Sequence, residues 1–250
     1  MEKVFKNQSL ISRILKHKEL PIYISTEFTF WRCVNVEEWV YGKTISEIHS
    51  NNLRENDNTN RYSKLFPNKK LSYWSASKPT ALAEIKKHGG NKNYLTFKAY
   101  DDSSSTFPML NIGEELIIID GRDFQFYKIL LKIESDEDLS DTEKELIQLI
   151  KNENPDCLAF RSVAKEEGLN FIFFEKGFRK LALKEVKLYF GENKSKNSNS
   201  VVCAAGSDYS PIIKNYGIYF EEIAKTKMDK EYLKSKEYQI RKNNRKNISI

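Results

Sequence analysis

The order of the predicted secondary structure favours an α+β fold. Strand patterns and helix patterns follow one another without the regular alternation that builds a doubly wound parallel sheet. Hydrophobic residues make up 40% of the 250 residues and aromatic residues 12%. That is enough apolar material for the packed core of one extended domain or of two small ones. We therefore expect a mixed sheet with flanking helices.

The first 20 residues predict an amphipathic helix. The segment alternates apolar and basic residues and lacks the hydrophobic core of a signal peptide. Its apolar residues recur at helical spacing; they are Val4, Leu10, Ile11, Ile14 and Leu15. We expect residues 1–27 to form an N-terminal helical extension.

Seven apolar runs predict the strands that follow. They are residues 28–34, 71–76, 94–100, 115–120, 157–162, 170–175 and 181–190. Residues 50–70, in contrast, are polar and rich in turn-forming residues, which predicts a loop.

Three segments between these runs predict helices. Ser77 can cap a helix that has Pro79 in its first turn and ends at Gly89-Gly90. Ser140 begins a Ser-x-x-Glu capping box that opens a helix to about Asn152. Residues 124–133 are the third candidate.

The positive charge is concentrated at the end of the chain. Residues 225–250 hold nine Lys or Arg and three acidic residues, which accounts for the whole net charge of +6. Such a run is typical of a solvated helix, and a weak contact with nucleic acid is the alternative. Residues 191–200 are polar and of low complexity, which predicts a loop or a domain boundary. We therefore expect residues 191–250 to form a C-terminal extension with a small aromatic cluster at 209–224.

Composition argues against several classes of protein. The three cysteines, Cys33, Cys157 and Cys203, are widely spaced and odd in number, which predicts neither a disulfide framework nor a metal site. A reducing, cytoplasmic location is the simplest interpretation. The three histidines form no metal-binding pattern, and no run of about 18 apolar residues predicts a membrane span.

Two charged residues lie in apolar surroundings. Arg32 lies between Trp31 and Cys33 in a predicted strand, and a buried guanidinium needs an anion or a carbonyl partner. It could form a structural ion pair or clamp a phosphate or carboxylate. Glu84 lies in the apolar half of a predicted helix. It could pair with His88 one turn on, or stabilise a positive charge that develops on a sugar ring.

Three further residues are weaker candidates. Tyr73 lies mid-strand and could pack in the core or offer a face to a flat ring. Arg61 lies in the polar loop, where an arginine is usually solvated. Ser162 follows a strand without the surroundings of a nucleophilic serine, so a hydroxyl that orients a phosphate or a sugar is the better interpretation.

Taken together, these residues resemble the RES-domain family, which is named for its arginine, glutamate and serine. The resemblance covers about residues 28–190, which it implies form the catalytic domain. The matching segments are Phe30-Trp31-Arg32, Asn60-Arg61-Tyr62-Ser63, the block from Tyr73 to Glu84, Phe160-Arg161-Ser162 and Gly168-Leu169-Asn170. The second segment departs from the family's Gly-Arg-Trp-Asn pattern at every residue except the arginine.

The resemblance implies an ADP-ribosyltransferase-like fold and a toxin of a bacterial toxin–antitoxin pair that consumes NAD. It implies that NAD is cleaved between nicotinamide and ribose, with inorganic phosphate as co-substrate and without a metal. The implied catalytic residues are Arg32, Glu84 and Ser162, and the implied NAD-binding residues are Arg61, Tyr62 and Tyr73. A separate antitoxin protein would be the partner.

The sequence is also compatible with other functions. An ADP-ribosyltransferase that modifies a protein or a nucleic acid would need nearly the same site. A non-enzymatic binding module would use the basic tail and bind nucleic acid in a salt-sensitive manner. A RES-like fold without activity is the third alternative, and a homo-oligomer is possible in each case.

Overall fold

The computed structural model describes residues 2–25, 28–37, 40, 43, 45–53, 61–89, 93–101, 114–189, 198–202, 209–214 and 217–222. The predicted basic tail at 225–250 and Cys203 lie outside the described residues. Among the described residues, no helix is long and apolar enough to cross a membrane.

Helices and strands are mixed along the chain, which confirms the α+β class. The strands are β1 (Ile22–Ser25), β2 (Thr29–Asn35), β3 (Leu71–Ser75), β4 (Tyr94–Tyr100), β5 (Leu116–Asp120), β6 (Cys157–Arg161), β7 (Leu169–Phe174), β8 (Ala182–Tyr189), β9 (Ser198–Val202), β10 (Tyr209–Lys214) and β11 (Gly217–Glu222). The helices are α1 (Glu2–His17), α2 (Ile45–Ser50), α3 (Arg61–Leu65), α4 (Lys78–Lys87), α5 (Phe126–Glu134), α6 (Asp141–Glu153) and α7 (Glu175–Arg179).

Nine of the described strands form one mixed sheet, in the order β1-β5-β6-β7-β3-β2-β4-β8-β9. Every neighbouring pair is antiparallel except β5 and β6, which are parallel. β10 and β11 form a separate antiparallel hairpin. The central pair, β2 and β3, is joined at a single residue pair, Trp31 and Ser75.

Apolar side chains cover both faces of the sheet. In β7, Phe171 and Phe173 belong to one buried cluster, while Ile172 and Phe174 belong to the other. This period of two is the side-chain alternation of a strand that is buried on both sides. Helices α2 and α7 contribute to the first cluster, and α1, α3, α5 and α6 contribute to the second.

Helix α4 follows the sequence signals closely. The Ser77 hydroxyl accepts a hydrogen bond from Thr80 N at 3.3 Å, and Pro79 lies in the first turn. At the other end, Gly89 has a φ of +77°, a conformation that side chains disfavour. Because α4 packs against β2 and β3, these capping residues fix the helix over the centre of the sheet.

The loop predicted at 50–70 is wrong for residues 61–65. These form α3, because Tyr62, Leu65 and Phe66 recur at helical spacing and pack in the second cluster. Residues 54–60 lie outside the described residues. The loop predicted at 191–200 is likewise wrong at its end, where Ser198–Val202 forms β9 and pairs with β8.

The sheet extends past both ends of the predicted catalytic unit at 28–190. On the N-terminal side, β1 pairs with β5, and the Ser25 hydroxyl donates to Asp101 Oδ2 at 2.6 Å. On the C-terminal side, β9 pairs with β8. The division of the chain into 1–27, 28–190 and 191–250 stays a prediction about domain organisation.

Candidate active site

A cavity of about 850 Å³ opens where β2 and β3 separate. Beyond the Trp31–Ser75 pair, the end of β2 and the beginning of β3 face this cavity through Cys33, Val34 and Tyr73. Helix α4 borders the cavity as well. The divergence of two central strands therefore creates a concave site within the sheet.

Glu84 is a buried carboxylate at the edge of this cavity. It lies in α4 and is 5% exposed. Its Oε1 atom accepts hydrogen bonds from Ser162 Oγ at 2.5 Å and from Asn170 Nδ2 at 2.7 Å. A buried charge is costly unless it is hydrogen-bonded, and these two donors both compensate the burial and fix the rotation of the carboxylate.

Asn170 connects Glu84 to the sheet. Its amide nitrogen donates to Glu84, and its Oδ1 atom accepts from Ser75 Oγ at 2.7 Å. Asn170 is fully buried in β7, directly opposite Ser75 in β3. Because both ends of the amide are bound, its orientation is determined, and the NH₂ group points at the carboxylate.

Ser162 reaches Glu84 from a tight loop after β6. Its hydroxyl oxygen also accepts from the backbone N–H groups of Ala164 and Lys165, both at 3.1 Å. Gly168 closes the loop by accepting from Ser162 N at 2.7 Å. A Cβ at Gly168 would lie 2.8 Å from Ser162 Cβ and 2.8 Å from Thr80 Cγ2, so glycine is required for the loop to approach α4.

The second oxygen of Glu84 has a different environment. Oε2 is buried and accepts no hydrogen bond from the part of the chain that the structure describes. The Nε2 atom of His88, one turn along α4, lies 4.0 Å away. This distance is longer than a hydrogen bond, and both residues line the cavity.

Arg32 is fixed by two contacts, one with the segment after α2 and one across the gap between β2 and β3. Its Nε donates to Asn52 Oδ1 at 3.0 Å, and its Nη1 donates to the carbonyl oxygen of Tyr73. Asn52, which follows α2, is 2% exposed. The guanidinium thus lines the cavity in a fixed position.

Two tyrosine rings form another part of the cavity wall. The rings of Tyr62 and Tyr73 have centroids 5.5 Å apart and planes 33° apart. Tyr73 also contacts Phe160 of the second buried cluster, with centroids 6.0 Å apart. The aromatic wall is therefore supported from behind by the core.

Burial affects two titratable groups beside Arg32. Burial raises the pKa of the Cys33 thiol to about 12, so the thiol is protonated at neutral pH. Burial lowers the pKa of His49 to about 3, and the positive charge of Arg32 contributes to this lowering. The His49 ring stacks on Phe178, with centroids 4.7 Å apart. Arg32 is thus flanked by groups that stay neutral.

The predicted site residues divide into three groups. Arg32, Tyr62, Tyr73 and Glu84 line one cavity. Ser162 contacts Glu84 but is not among the residues that line the cavity. Arg61 is the first residue of α3, and its side chain lies outside the described residues. The catalytic and NAD-binding roles of all six stay predictions.

Sequence reasoning missed the supporting residues. Asn52 and Ser75 gave no signal, because a single amide or hydroxyl next to a helix or strand is common. Asn170 belonged to a matching segment of the family resemblance, but its contact with Glu84 depends on a pairing between distant strands. His88 was considered only as an ion-pair partner for Glu84.

No group of three or more His, Cys, Asp or Glu side chains that could hold a metal ion occurs among the described residues. The cavity carries charges of both signs. Lys64, for example, lines it and donates to Asp136 Oδ1 at 2.5 Å, so this pair is neutral overall.

Comparison with known proteins finds a solved structure that contains a chain similar to this one. No protein-family model matches the chain, and no curated protein matches it. Among solved structures, the chain is similar to a chain in the crystal structure of the M. tuberculosis MbcT–MbcA toxin–antitoxin complex, with 8% sequence identity and a TM-score of 0.42. The match covers 72% of this chain and 92% of that chain. A TM-score this low supports no argument about function, and the function is therefore inferred from the residues of the site.

Proposed function

We propose that the chain is an enzyme that cleaves the nicotinamide–ribose bond of NAD, with inorganic phosphate as the acceptor. The observation that carries the proposal is the arrangement of Glu84. One carboxylate oxygen is held by Ser162 and Asn170, and the other is buried at a cavity without a hydrogen-bond donor from the described residues. A preorganised carboxylate of this kind suits a reaction in which positive charge develops.

Cleavage of NAD produces such a charge. As the bond to nicotinamide breaks, the ribose carbon acquires the character of an oxocarbenium ion. The fixed carboxylate of Glu84 would stabilise this charge without first having to reorient, which is the main source of electrostatic catalysis. Glu84 would also attract the positively charged nicotinamide ring before the reaction.

Arg32 and the tyrosine pair would bind the rest of the substrate. A guanidinium matches the oxygen atoms of a diphosphate, and Arg32 is held at the cavity by Asn52 and Tyr73. The rings of Tyr62 and Tyr73 offer an apolar wall to a flat heterocycle. The cavity of about 850 Å³ is within the usual size range for organic ligands.

Ser162 acts through Glu84 in this proposal. Its hydroxyl donates to Oε1 and is itself held by two backbone N–H groups. Ser162 and Asn170 are therefore positioning residues for the carboxylate. The family resemblance further leads us to propose a cytoplasmic toxin that is inhibited by a separate antitoxin protein.

The test is nicotinamide release from NAD by the purified chain, with and without inorganic phosphate, with the products separated by chromatography. We expect release that depends on phosphate, and an ADP-ribose product that carries a phosphate at the anomeric carbon. Release without phosphate would replace phosphorolysis by hydrolysis or by transfer to a macromolecule. No release from a folded sample that contains no bound inhibitor would refute the proposal.

Two variants test whether activity can be lost while the chain stays folded. Arg32→Ala and Glu84→Ala should each abolish nicotinamide release, while the circular dichroism spectrum and the cooperativity of urea unfolding are retained. Full activity in both variants would contradict the assignment of the site.

A further inference from the structure

The first strand of the nine-stranded sheet forms one of its edges. Among the described residues, β1 pairs with β5 alone. Three of its four side chains are large apolar groups in contact with solvent, since Ile22 is 40% exposed, Tyr23 55% and Ile24 68%. Proteins commonly protect an edge strand with charged side chains or with a covering helix or loop, and β1 carries no charged residue. An edge of this kind is a template for a further strand.

The main chain of β1 directs the polar groups of two residues toward this open side. Successive residues of an antiparallel pair turn their N–H and C=O groups alternately toward the partner strand and away from it. In β5, Ile117 lies opposite Ile24 but bonds Asp156 instead, through its N–H to Oδ2 at 2.8 Å and through its C=O to the backbone N–H at 2.9 Å. The N–H and C=O groups of Ile24 therefore point away from β5, and so do those of Ile22, two residues before it.

We propose that β1 is a dimerisation strand, and that the β1 strand of a second copy of this chain adds antiparallel to it at this edge. A two-fold axis midway between the two Tyr23 residues relates the copies. The pairing joins the two nine-stranded sheets into one. The inference goes beyond the proposed function, because β5, β6 and β7 separate β1 from the cavity between β2 and β3.

The alternation of the main-chain groups selects this register. With the axis between the two Tyr23 residues, Ile22 of each copy lies opposite Ile24 of the other. Each of these two pairs brings outward N–H and C=O groups together and exchanges two hydrogen bonds, which makes four in all. An axis between two Ile22 or two Ile24 residues would retain only two hydrogen bonds between β1 residues, so the register centred on Tyr23 satisfies the edge best.

The same register covers the exposed apolar side chains. The two Tyr23 rings meet across the axis in a non-hydrogen-bonded pair, the pair in which opposed side chains approach most closely. On the opposite face of the sheet, Ile24 lies beside Ile117 of its own copy, which is 37% exposed, and beside Ile22 of the second copy. Burial of this apolar surface favours association, and because β1 carries no charge, no like charges oppose each other.

The symmetry of the contact explains why a second copy fits this edge. The same four residues supply both sides of the contact, so the strand is complementary to itself. A two-fold contact of this kind is closed, because each β1, once paired, is an internal strand and offers no further edge. Assembly through β1 therefore stops at a dimer.

The first experiment measures the mass of the purified chain by sedimentation velocity. We expect the wild type to have twice the mass of one chain at about 100 μM, a concentration at which a contact of micromolar affinity is occupied. Tyr23→Lys and Tyr23→Glu each place like charges directly opposite each other across the axis, so each variant should have the mass of a single chain. Leu131→Lys is the matched control and should keep the dimer, because Leu131 is an apolar residue of α5 that is 38% exposed.

The second experiment restores the contact. An equimolar mixture of Tyr23→Lys and Tyr23→Glu places opposite charges across the axis, so the mixture should regain the mass of two chains. This rescue depends on position 23 lying opposite position 23 of the other copy. Circular dichroism spectra equal to that of the wild type check that each variant is folded.

Three results would overturn the inference. The first is a wild-type chain that has the mass of a single chain at about 100 μM, which is the result expected if β1 instead binds a strand of a different protein. The second is a dimer that persists in both variants of Tyr23, which would place the contact elsewhere on the chain. The third is a mixture that stays monomeric, which would exclude the register centred on Tyr23.

Discussion

Replacing Asn170 with alanine removes the amide that joins Glu84 to the sheet. The hydrogen bond from Nδ2 to the carboxylate is 2.7 Å long, and the bond from Ser75 Oγ to Oδ1 is also 2.7 Å. A hydrogen bond to a charged group contributes about 1.5–3 kcal/mol and a neutral one about 0.5–1.5 kcal/mol. We therefore expect the free energy of unfolding to fall by about 2–4.5 kcal/mol, measured by urea unfolding.

Activity should fall by more than the loss of stability explains. Glu84 Oε1 keeps the hydrogen bond from Ser162 in Asn170→Ala, so the carboxylate stays buried but can rotate. A misplacement of about 1 Å in a catalytic group costs on the order of 100-fold in rate. We expect a fall of this order in kcat for nicotinamide release, measured at temperatures where the variant is fully folded.

Asn152→Ala is the matched control for the loss of an amide. Asn152 Oδ1 accepts from Gln148 Nε2 at 2.9 Å, and this bond is exposed on α6. Its removal should change neither stability nor kcat measurably. If Asn170→Ala kept the stability and activity of the wild type, the argument that Asn170 orients Glu84 would be wrong.

Three further perturbations test other parts of the structure. Gly168→Ala places a Cβ 2.8 Å from Ser162 Cβ and Thr80 Cγ2. It should lower the free energy of unfolding by about 1–3 kcal/mol, measured in urea, and it should also lower nicotinamide release. Wild-type values in both assays would show that the loop at Gly168 does not lie as close to α4 as the structure indicates. His49 has a pKa of about 3 when folded and 6.5 ordinarily, so below about pH 6.5 the unfolded chain binds the proton that the folded chain rejects. The free energy of unfolding should therefore fall by up to about 1.4 kcal/mol per pH unit as the pH drops. This His49 contribution should vanish in His49→Phe, and an acid slope that the substitution leaves unchanged would refute it. The pKa of the Cys33 thiol is raised to about 12, so Cys33 should react slowly with iodoacetamide at pH 8 until the chain is unfolded in urea. Fast alkylation of the folded chain would show that the Cys33 thiol is not buried in the way that the raised pKa requires.

Local signals in the sequence predicted most elements. The cap at Ser77 and the capping box at Ser140 depend on residues within one helical turn, and both helices begin where these signals place them. Helix α3 was missed because its few apolar residues lie among polar ones and are stabilised by packing against a distant cluster. Strand β1 was missed for a similar reason, since its four residues are held by pairing with β5.

The charged residues of the candidate site could be predicted from the sequence, but the residues that hold them in place could not. Arg32 and Glu84 stood out because a charge in an apolar segment must be compensated. The compensating groups, Asn52 for Arg32 and Asn170 for Glu84, lie 20 and 86 residues away along the chain. The packing of the segment after α2 brings Asn52 to Arg32, and the register of the sheet with the position of α4 brings Asn170 to Glu84. No local pattern encodes either proximity.

The variant Glu84→Gln tests whether the oriented carboxylate of Glu84 drives the cleavage of NAD. Glutamine has nearly the same shape, and its amide oxygen can still accept from Ser162 and Asn170. The negative charge is lost, and an NH₂ group takes the place of the second carboxylate oxygen. We expect nicotinamide release at saturating NAD and phosphate to fall on the order of 100- to 1000-fold, with the midpoint of urea unfolding close to that of the wild type. A folded Glu84→Gln chain that releases nicotinamide at the wild-type rate would contradict this role of Glu84.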